Sequence, residues 1–181
     1  MLYKEKLVKS EKIFEGKVVR LKVDTVEVVQ NGNHATREII EHPGGVAVVA
    51  ITDSGKVCLV KQYRRPFDDM LLEIPAGKLE WGEDHRECGI RELREETGYS
   101  ASEFVYLGEH YLTPGFCNEK IFIYLATGLV QGEKDLDENE FTELYEYSFD
   151  ELIDMIMKNE IKDGKTVIGI LKAYRYLNKN E

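Results

Sequence analysis

Four glutamates lie close together in one stretch of the sequence, and carboxylate oxygens are the ligands that Mg²⁺ and Ca²⁺ prefer. Glu92, Glu95 and Glu96 are spaced by three and four residues, and Glu83 precedes Glu92. Because a helix advances about 100° per residue, Glu92 and Glu96 would share one face, with Glu95 at its edge. Like charges at these spacings destabilise a helix, and either Arg91 or a bound cation could offset the repulsion. The stretch predicts a metal-binding helix or, alternatively, an acidic surface helix with internal ion pairs.

The ends and the buried face of this helix can also be predicted. Residues 82–84, Gly-Glu-Asp, favour a helix start, because acids interact well with the positive end of the helix dipole. Gly98 is a suitable residue just past the end. Gly89 is unfavourable inside a helix by about 1 kcal/mol relative to alanine, which predicts a close backbone approach there. The face opposite the acids, predicted to pack on a sheet, consists of Ile90, Leu93 and Thr97.

The stretch from Gly77 to Tyr99 has the pattern G-x5-E-x7-R-E-hydrophobic-x-E-E-x-G-hydrophobic. This pattern resembles the Nudix box, the signature of the Nudix hydrolase family. Tyr99 departs from it, because the family usually has a small aliphatic residue there, but this leaves the predicted metal ligands unchanged. The positions that match are Gly77, Glu83, Arg91, Glu92, Leu93, Glu95, Glu96 and Gly98.

The resemblance implies a Mg²⁺-dependent hydrolysis of a pyrophosphate bond, with Mn²⁺ as a possible substitute. The metal would bridge two phosphates, stabilise the developing negative charge and lower the pKa of the attacking water. Arg91 would orient the glutamates, Glu83 would support substrate binding from the helix start, and Glu95 is a candidate base as well as a ligand. The expected metal ligands are the backbone carbonyl of Ala76 and the carboxylates of Glu92, Glu95 and Glu96.

An acidic segment, residues 133–140, follows the box and contains five acids and one lysine. By its composition it could be a solvated connector. It also resembles the ADP-ribose pyrophosphatase branch of the family, in which a Glu-x-Glu pair follows an acidic stretch. That resemblance implies that Glu138 is the general base and that Glu140 contributes on the metal side. The two roles could also be exchanged.

Candidate substrate-binding residues lie outside the box. Pro114 stands sixteen residues after Gly98, where the branch usually has a proline, although Pro-Gly is also an ordinary turn. In the similar family segment an arginine contacts the pyrophosphate or the terminal ribose, a role that falls on Arg64; guanidinium groups bind phosphate well. Glu119 could accept hydrogen bonds from ribose hydroxyls, and Arg37 is a further candidate. Each could instead be a surface residue.

The composition narrows the classes of protein. The chain has 181 residues, of which 43% are hydrophobic, enough for one globular domain with a short accessory segment. Its net charge of −10 argues against binding to a nucleic-acid backbone. Three cysteines without a C-x-x-C motif favour a reducing compartment, expected to be the cytoplasm. No apolar run is long enough to span a bilayer, and we expect no membrane association.

The order of the predicted elements indicates an α+β fold. Residues 1–42 form a predicted N-terminal β arm with a hairpin at Asn31-Gly32 and an irregularity near Thr25. Residues 43–181 form the predicted catalytic domain, a mixed sheet flanked by helices. The Nudix resemblance implies the same αβα sandwich. Strands are predicted at 46–52, 56–64, 71–75, 104–112, 120–129 and 143–148, and helices at 149–159 and 165–177.

Taken together, the resemblance implies hydrolysis of ADP-ribose to AMP and ribose 5-phosphate. Two alternatives stay open: another nucleotide substrate, such as a sugar nucleotide, a dinucleotide or a nucleoside triphosphate, or a sensor that binds a nucleotide sugar without turnover. The β arm cannot bury both of its faces alone, and relatives in the branch use it to dimerise. We therefore expect a homodimer.

Overall fold

The computed structural model of the 181-residue chain describes residues 3–135 and 142–179. The chain divides into two compact units, Met1–Gly44 with Tyr111–Lys120 and Gly45–His110 with Ile121–Glu181. Residues 111–120, predicted to be part of the catalytic domain, therefore group with the N-terminal residues. The domain boundary predicted after residue 42 remains a prediction.

The first unit contains a three-stranded antiparallel sheet. Its strands, in spatial order, are β1 (Glu5–Glu15), β2 (Arg20–Val28) and β3 (Asn33–Glu41). The predicted hairpin at Asn31-Gly32 is confirmed, because Gly32 has a φ of +71° and donates its N–H to the Val28 carbonyl at 2.8 Å. The register shift opposite Thr25 lies in β1 and not in β2, which pairs regularly with β3.

A second segment of this unit, residues 111–120, lies along β3. The Ile40 N–H donates to the Phe116 carbonyl at 2.8 Å, and the Asn118 N–H donates to the Ile40 carbonyl at 3.1 Å. The segment turns at Thr113, whose carbonyl accepts a hydrogen bond from the Cys117 N–H at 3.0 Å. Pro114 therefore occupies a tight turn, as expected for a Pro-Gly sequence.

The second unit is built around a mixed sheet. Its strands are β4 (Gly45–Ile51), β5 (Val57–Arg64), β6 (Asp69–Glu73), β7 (Ala76–Lys78), β8 (Tyr99–His110), β9 (Ile121–Gln131) and β10 (Glu143–Tyr147). The order is β10-β5-β4-β9-β8, with β6 paired to β5 and β7 paired to β4. The β4–β9 pair is parallel and the other pairs are antiparallel. Strand β4 is buried at every position, which places the core at the centre of the sheet.

Three helices cover this sheet: α1 (His85–Thr97), α2 (Phe149–Met157) and α3 (Gly164–Leu177). On one face α1 packs through Leu93 against Val48, whereas on the other face Gly169 of α3 approaches Val49. Because neighbouring strand residues point to opposite faces, the helices lie on both sides of the sheet. The predicted α+β class and αβα sandwich are confirmed. Within residues 3–135 and 142–179, no helix is long and apolar enough to cross a membrane.

The predicted ends of α1 are confirmed. Asp84 caps its start, with Oδ1 accepting hydrogen bonds from the N–H groups of Arg86 at 2.9 Å and Glu87 at 3.1 Å. Gly98 ends the helix in the left-handed conformation, with a φ of +79°, and its N–H donates to the Arg94 carbonyl.

The buried face of α1 differs from the predicted one. Leu93 and Thr97 are buried as expected, but Ile90 is 36% exposed, and that part of the prediction is wrong. Glu96, predicted on the opposite face, is buried with only 2% exposure. The helix is turned so that this carboxylate, rather than Ile90, faces the interior, which leaves Ile90 at the solvent edge.

Gly89 lies at a close approach of α1 to the sheet, as its cost inside a helix suggested. A Cβ at this position would lie 2.9 Å from Cγ2 of Val46 and 3.0 Å from Cζ of Phe104.

Overpacking of this kind costs about 1–3 kcal/mol, whereas alanine improves helix propensity by about 1 kcal/mol. We expect Gly89→Ala to lower the free energy of unfolding by about 1 kcal/mol, measured by urea denaturation. Ile90→Ala, on the exposed edge of the same helix, is the control and should change stability less. Equal stability of Gly89→Ala and the unmodified protein would contradict the close approach.

Candidate active site

Arg91 is the centre of the glutamate cluster on α1. Its Nη1 lies 2.8 Å from Oε2 of Glu95 and 2.8 Å from Oε1 of Glu92, and its Nη2 lies 3.4 Å from Oε1 of Glu83. Burial opposes the charge of Arg91, but the Glu92 carboxylate and then Glu95 raise the pKa of the guanidinium above its ordinary value. One permanent positive charge thus offsets the repulsion among three carboxylates.

Glu96 connects α1 to the sheet. Its Oε2 accepts a hydrogen bond from the Ala76 N–H at 2.9 Å. Ala76 is the first residue of β7, which pairs with β4. A buried carboxylate needs such a donor, because removing it from water without a partner is costly. The sequence predicts that the carbonyl of Ala76 is a metal ligand, and this role remains a prediction. The structure shows that the N–H of the same residue is bound to Glu96.

Glu92 lies directly over the backbone of Gly77. A Cβ at Gly77 would overlap the carboxylate of Glu92. Any larger residue at this position would displace that side chain. The first glycine of the box is therefore explained by the space that Glu92 occupies, and Glu92 and Glu96 are held next to consecutive residues of β7.

The residues present suit a magnesium ion chemically. In the ranges that the structure describes, no three Asp, Glu, His or Cys side chains converge in an arrangement that could hold a metal ion. Mg²⁺, however, is usually bound by one or two carboxylates, with water and substrate phosphates as further ligands. Glu92 and Glu96 offer such hard oxygen donors beside Ala76 and Gly77. The Ala76–Glu96 hydrogen bond fixes the orientation of one of these donors.

Glu83 has a local structural contact in addition to its ion pair with Arg91. Its Oε2 accepts a hydrogen bond from the Glu80 N–H at 2.8 Å. The residue therefore ties the loop before α1 to the glutamate cluster. Its role in substrate binding remains a prediction.

Arg64 forms a two-pronged ion pair with a buried glutamate. Nε and Nη2 each lie 2.7 Å from the oxygens of Glu73, whose residue exposure is 1%. Burial alone would raise the pKa of the Glu73 carboxyl, but the hydrogen bond from Arg64 and the charge of Lys165 hold the pKa below its ordinary value. The predicted contact of Arg64 with substrate remains a prediction, and its orientation is set by Glu73.

Glu73, Lys165 and Thr166 were not among the predicted site residues. One signal was available: Glu73 is a charged residue within an apolar run, between Leu72 and Ile74. Such a residue must find a partner if the strand is buried. The sequence gives no indication that the partners stand at the start of the last helix.

Three predicted substrate-binding residues belong to the other compact unit. Arg37 forms an ion pair with Glu5 and donates from Nη1 to the Thr36 carbonyl at 2.9 Å. Oε1 of Glu119 lies 3.4 Å from Nδ1 of His42. Pro114 lies in the turn at residue 113. Their roles in binding substrate remain predictions.

The predicted base, Glu138, and its companion, Glu140, lie outside the residues that the structure describes. The residues just before them contact the end of α1. The Gly132 N–H donates to the Gly98 carbonyl at 2.7 Å, and the Asp135 N–H donates to the Glu95 carbonyl at 3.2 Å. The acidic segment therefore begins next to the glutamate cluster.

Known proteins resemble the chain in sequence and in fold. Residues 41–167 match the family model of the NUDIX domain. The chain is 48% identical to a methanol dehydrogenase activator of Bacillus methanolicus, covering 93% of this chain and 92% of that protein. It is 43% identical to an ADP-ribose pyrophosphatase of Bacillus subtilis (strain 168), with 92% and 90% covered. An ADP-ribose pyrophosphatase of Mycobacterium tuberculosis (strain ATCC 25618 / H37Rv) is 35% identical, with 92% and 82% covered.

A solved structure shares the whole fold. The crystal structure of an ADP compounds hydrolase superimposes with a TM-score of 0.87, covering 99% of this chain and 97% of that one at 21% identity. The similarity at this identity concerns the fold alone. The family model and the relatives show that this chain belongs to the NUDIX domain family, and the glutamate cluster agrees with this assignment.

Proposed function

We propose that the protein is a Mg²⁺-dependent pyrophosphohydrolase that cleaves ADP-ribose to AMP and ribose 5-phosphate. The observation that carries the proposal is the glutamate cluster around Arg91. Arg91 pairs with Glu92 and Glu95 of α1 and with Glu83 just before the helix, while Glu96 is hydrogen-bonded to Ala76. The substrate is supported by the two relatives that are named ADP-ribose pyrophosphatases.

In the proposed mechanism, a bound Mg²⁺ supplies charge neutralisation at the two phosphates and activation of a water molecule. The chain contributes the oxygen ligands Glu92, Glu95, Glu96 and the Ala76 carbonyl, with Glu140 as a further candidate on the metal side. Arg91 keeps the carboxylates in place. The attacking water gives its proton to Glu138, and one P–O bond of the pyrophosphate breaks as the new one forms.

Substrate would be held mainly by groups outside the box. Arg64 is suited to a phosphate or the terminal ribose because Glu73 fixes the plane of its guanidinium and leaves Nη1 outside that pair. Arg37, Glu119 and Pro114 are the candidates from the first unit, and Glu83 is a supporting residue at the start of α1.

A panel of nucleotides with product identification tests the substrate. We expect the highest kcat/KM for ADP-ribose, above GDP-mannose, NADH and any nucleoside triphosphate, with AMP and ribose 5-phosphate as the only products. A triphosphate giving the highest value would contradict the proposal. If ligands bind but none is hydrolysed in Mg²⁺, the sensor function is favoured instead.

A second candidate function is activation of a dehydrogenase, because one relative, 48% identical, is named a methanol dehydrogenase activator. The two functions can be separated by adding this protein to a purified methanol dehydrogenase and measuring the dehydrogenase rate. We expect hydrolysis of ADP-ribose whether or not the dehydrogenase responds. An increased dehydrogenase rate without any nucleotide hydrolysis would favour the second function.

The protein is proposed to work in a reducing compartment, the cytoplasm. The support is that Cys58, Cys88 and Cys117 are all free thiols. Mass spectrometry of the protein from intact cells, after rapid alkylation, should find all three reduced. A disulfide in that sample would contradict the compartment.

The protein is further proposed to be a homodimer formed through the β arm. Strand β1 is exposed along its whole length, and four of its apolar side chains are at least 50% exposed. These residues are Leu7, Val8, Ile13 and Phe14. Apolar groups on an exposed strand favour association with another chain. Light scattering at micromolar concentration should therefore give twice the mass of the chain, and a monomer would refute the proposal.

The first mutational prediction concerns the metal ligands. Glu96→Gln keeps an oxygen that can accept the Ala76 N–H but removes the negative charge. We expect turnover to be lost while the fold survives, as followed by hydrolysis in Mg²⁺ and by circular dichroism. Ile90→Gln, on the exposed edge of the same helix, should remain active. Near-normal activity of Glu96→Gln would remove this residue from the proposed metal site.

The second mutational prediction concerns the base. General-base catalysis contributes about 10²–10⁴-fold, so Glu138→Gln should lower kcat by that order with little change in KM or in the Mg²⁺ concentration for half-maximal activity. Glu140→Gln should act mainly on that Mg²⁺ concentration or on KM. If Glu140→Gln shows the large loss of kcat and Glu138→Gln does not, the two roles are exchanged. If neither matters, Glu95 or Glu119 becomes the candidate base.

A further inference from the structure

The short segment from Glu73 to Ala76 leads directly into the box, and each of its residues has a fixed partner. The Glu73 carboxylate binds Arg64 and Lys165. The Ile74 N–H donates to Oγ1 of Thr166, and the Pro75 carbonyl accepts a hydrogen bond from the Val48 N–H. The Ala76 N–H donates to Oε2 of Glu96. The segment is thus held at every residue up to the predicted metal ligand.

The first turn of α3 provides two of these partners. Oγ1 of Thr166 accepts from the Ile74 N–H at 3.0 Å and donates to Oδ2 of Asp163 at 2.5 Å, so the hydroxyl uses both of its hydrogen-bonding functions. Nζ of Lys165 contacts Glu73 and lies 3.0 Å from Oδ1 of Asp163. Asp163 also caps α3, which fixes the turn that carries these groups.

The packing between α3 and the segment is tight. Ile74 and Thr166 are both fully buried, with 0% exposure. A Cβ at Gly169, one turn after Thr166, would lie 2.7 Å from Cδ1 of Ile74 and 3.1 Å from Cγ2 of Val49. Because close-packed protein interiors are hard to compress and transmit strain, a shift at the start of α3 also displaces Ile74.

We propose that Thr166 and Lys165 are positioning residues for the active site, although neither belongs to the box. The inference rests on the proposed function. Thr166 holds the backbone at Ile74, only two residues before Ala76, and thereby sets the hydrogen bond that fixes Glu96. Lys165 holds Glu73, which in turn orients Arg64. The start of α3 thus aligns both the metal ligands and the arginine that is proposed to bind substrate.

A purely structural role for α3 leads to a different expectation. Loss of a buried hydrogen bond would then lower the melting temperature, and the folded fraction would bind metal and substrate normally. A positioning role changes the properties of the protein that is still folded. Partners that orient metal ligands typically contribute about 10–100-fold in metal affinity or activity.

The decisive variant is Thr166→Val, which keeps the shape of the side chain and removes the acceptor for the Ile74 N–H. We expect Mn²⁺, used as a spectroscopic probe, to bind about 10–100-fold more weakly by electron paramagnetic resonance titration. The Ala76 amide should also exchange its hydrogen faster, because its hydrogen bond to Glu96 is no longer held in place. Thr166→Ser restores the hydroxyl and should recover both properties. All measurements are made well below the melting temperature of each variant.

Lys165→Met is the second variant, and it does not remove a backbone partner. We expect a higher KM for ADP-ribose, with a smaller effect on Mn²⁺ binding, and recovery in Lys165→Arg. Leu152→Ala, a buried substitution on α2, is the control that lowers stability without removing a partner of residues 73–76. It should leave Mn²⁺ binding and Ala76 exchange unchanged.

The outcomes separate this inference from the proposed function. Normal Mn²⁺ binding and normal Ala76 exchange in Thr166→Val would overturn the inference, as would equal losses in Leu152→Ala. If Thr166→Val does not fold, a normal KM in Lys165→Met overturns it. If the unmodified protein hydrolyses no nucleotide, the proposed function fails, whereas Mn²⁺ binding and amide exchange still decide whether α3 positions the segment.

Discussion

Repulsion among the carboxylates of α1 is the constraint on which the arrangement of the site depends. Glutamates at spacings of three and four residues destabilise a helix by about 0.2–0.5 kcal/mol per pair unless a charge or donor compensates them. Arg91 provides the charge for Glu92 and Glu95, and it reaches back to Glu83 before the helix. Arg91 therefore imposes a direction on each of these three carboxylates, and the cluster keeps a net negative charge.

Glu96 meets the same constraint in another way. It is buried, and a buried carboxylate without partners would be strongly destabilising. Its donor is the Ala76 N–H, so the strand β7 must lie next to the helix, and Gly77 must lack a side chain for Glu92 to fit beside it. Gly77 of the box is thus a consequence of carboxylate packing. The orientation of α1 follows as well, because turning Glu96 inward leaves Ile90 at the surface.

The structural features that could be predicted are those that depend on residues close together in the sequence. The helix ends at Asp84 and Gly98, the hairpin at Asn31-Gly32 and the shared face of the glutamates depend on residues within a few positions of one another. The burial of Glu96 could not be predicted, because a rule that places charges in solvent does not foresee a backbone donor twenty residues away. Strand β1 lies within the predicted β arm, but its bounds could not be predicted, because all of it is exposed and no alternation of apolar residues marks it.

The network at Glu73 shows the same limit over a longer distance. Its contacts to Lys165, and that of Ile74 to Thr166, join residues that are 92 positions apart. The buried carboxylate requires more than one partner, and two cations, Arg64 and Lys165, meet it from different elements. The requirement can be read from a glutamate in an apolar strand, but the partners are chosen by the fold. The spacing of the residues in the box therefore identifies the class of reaction. The positions of the side chains proposed to carry it out depend on residues that only the tertiary structure brings near them.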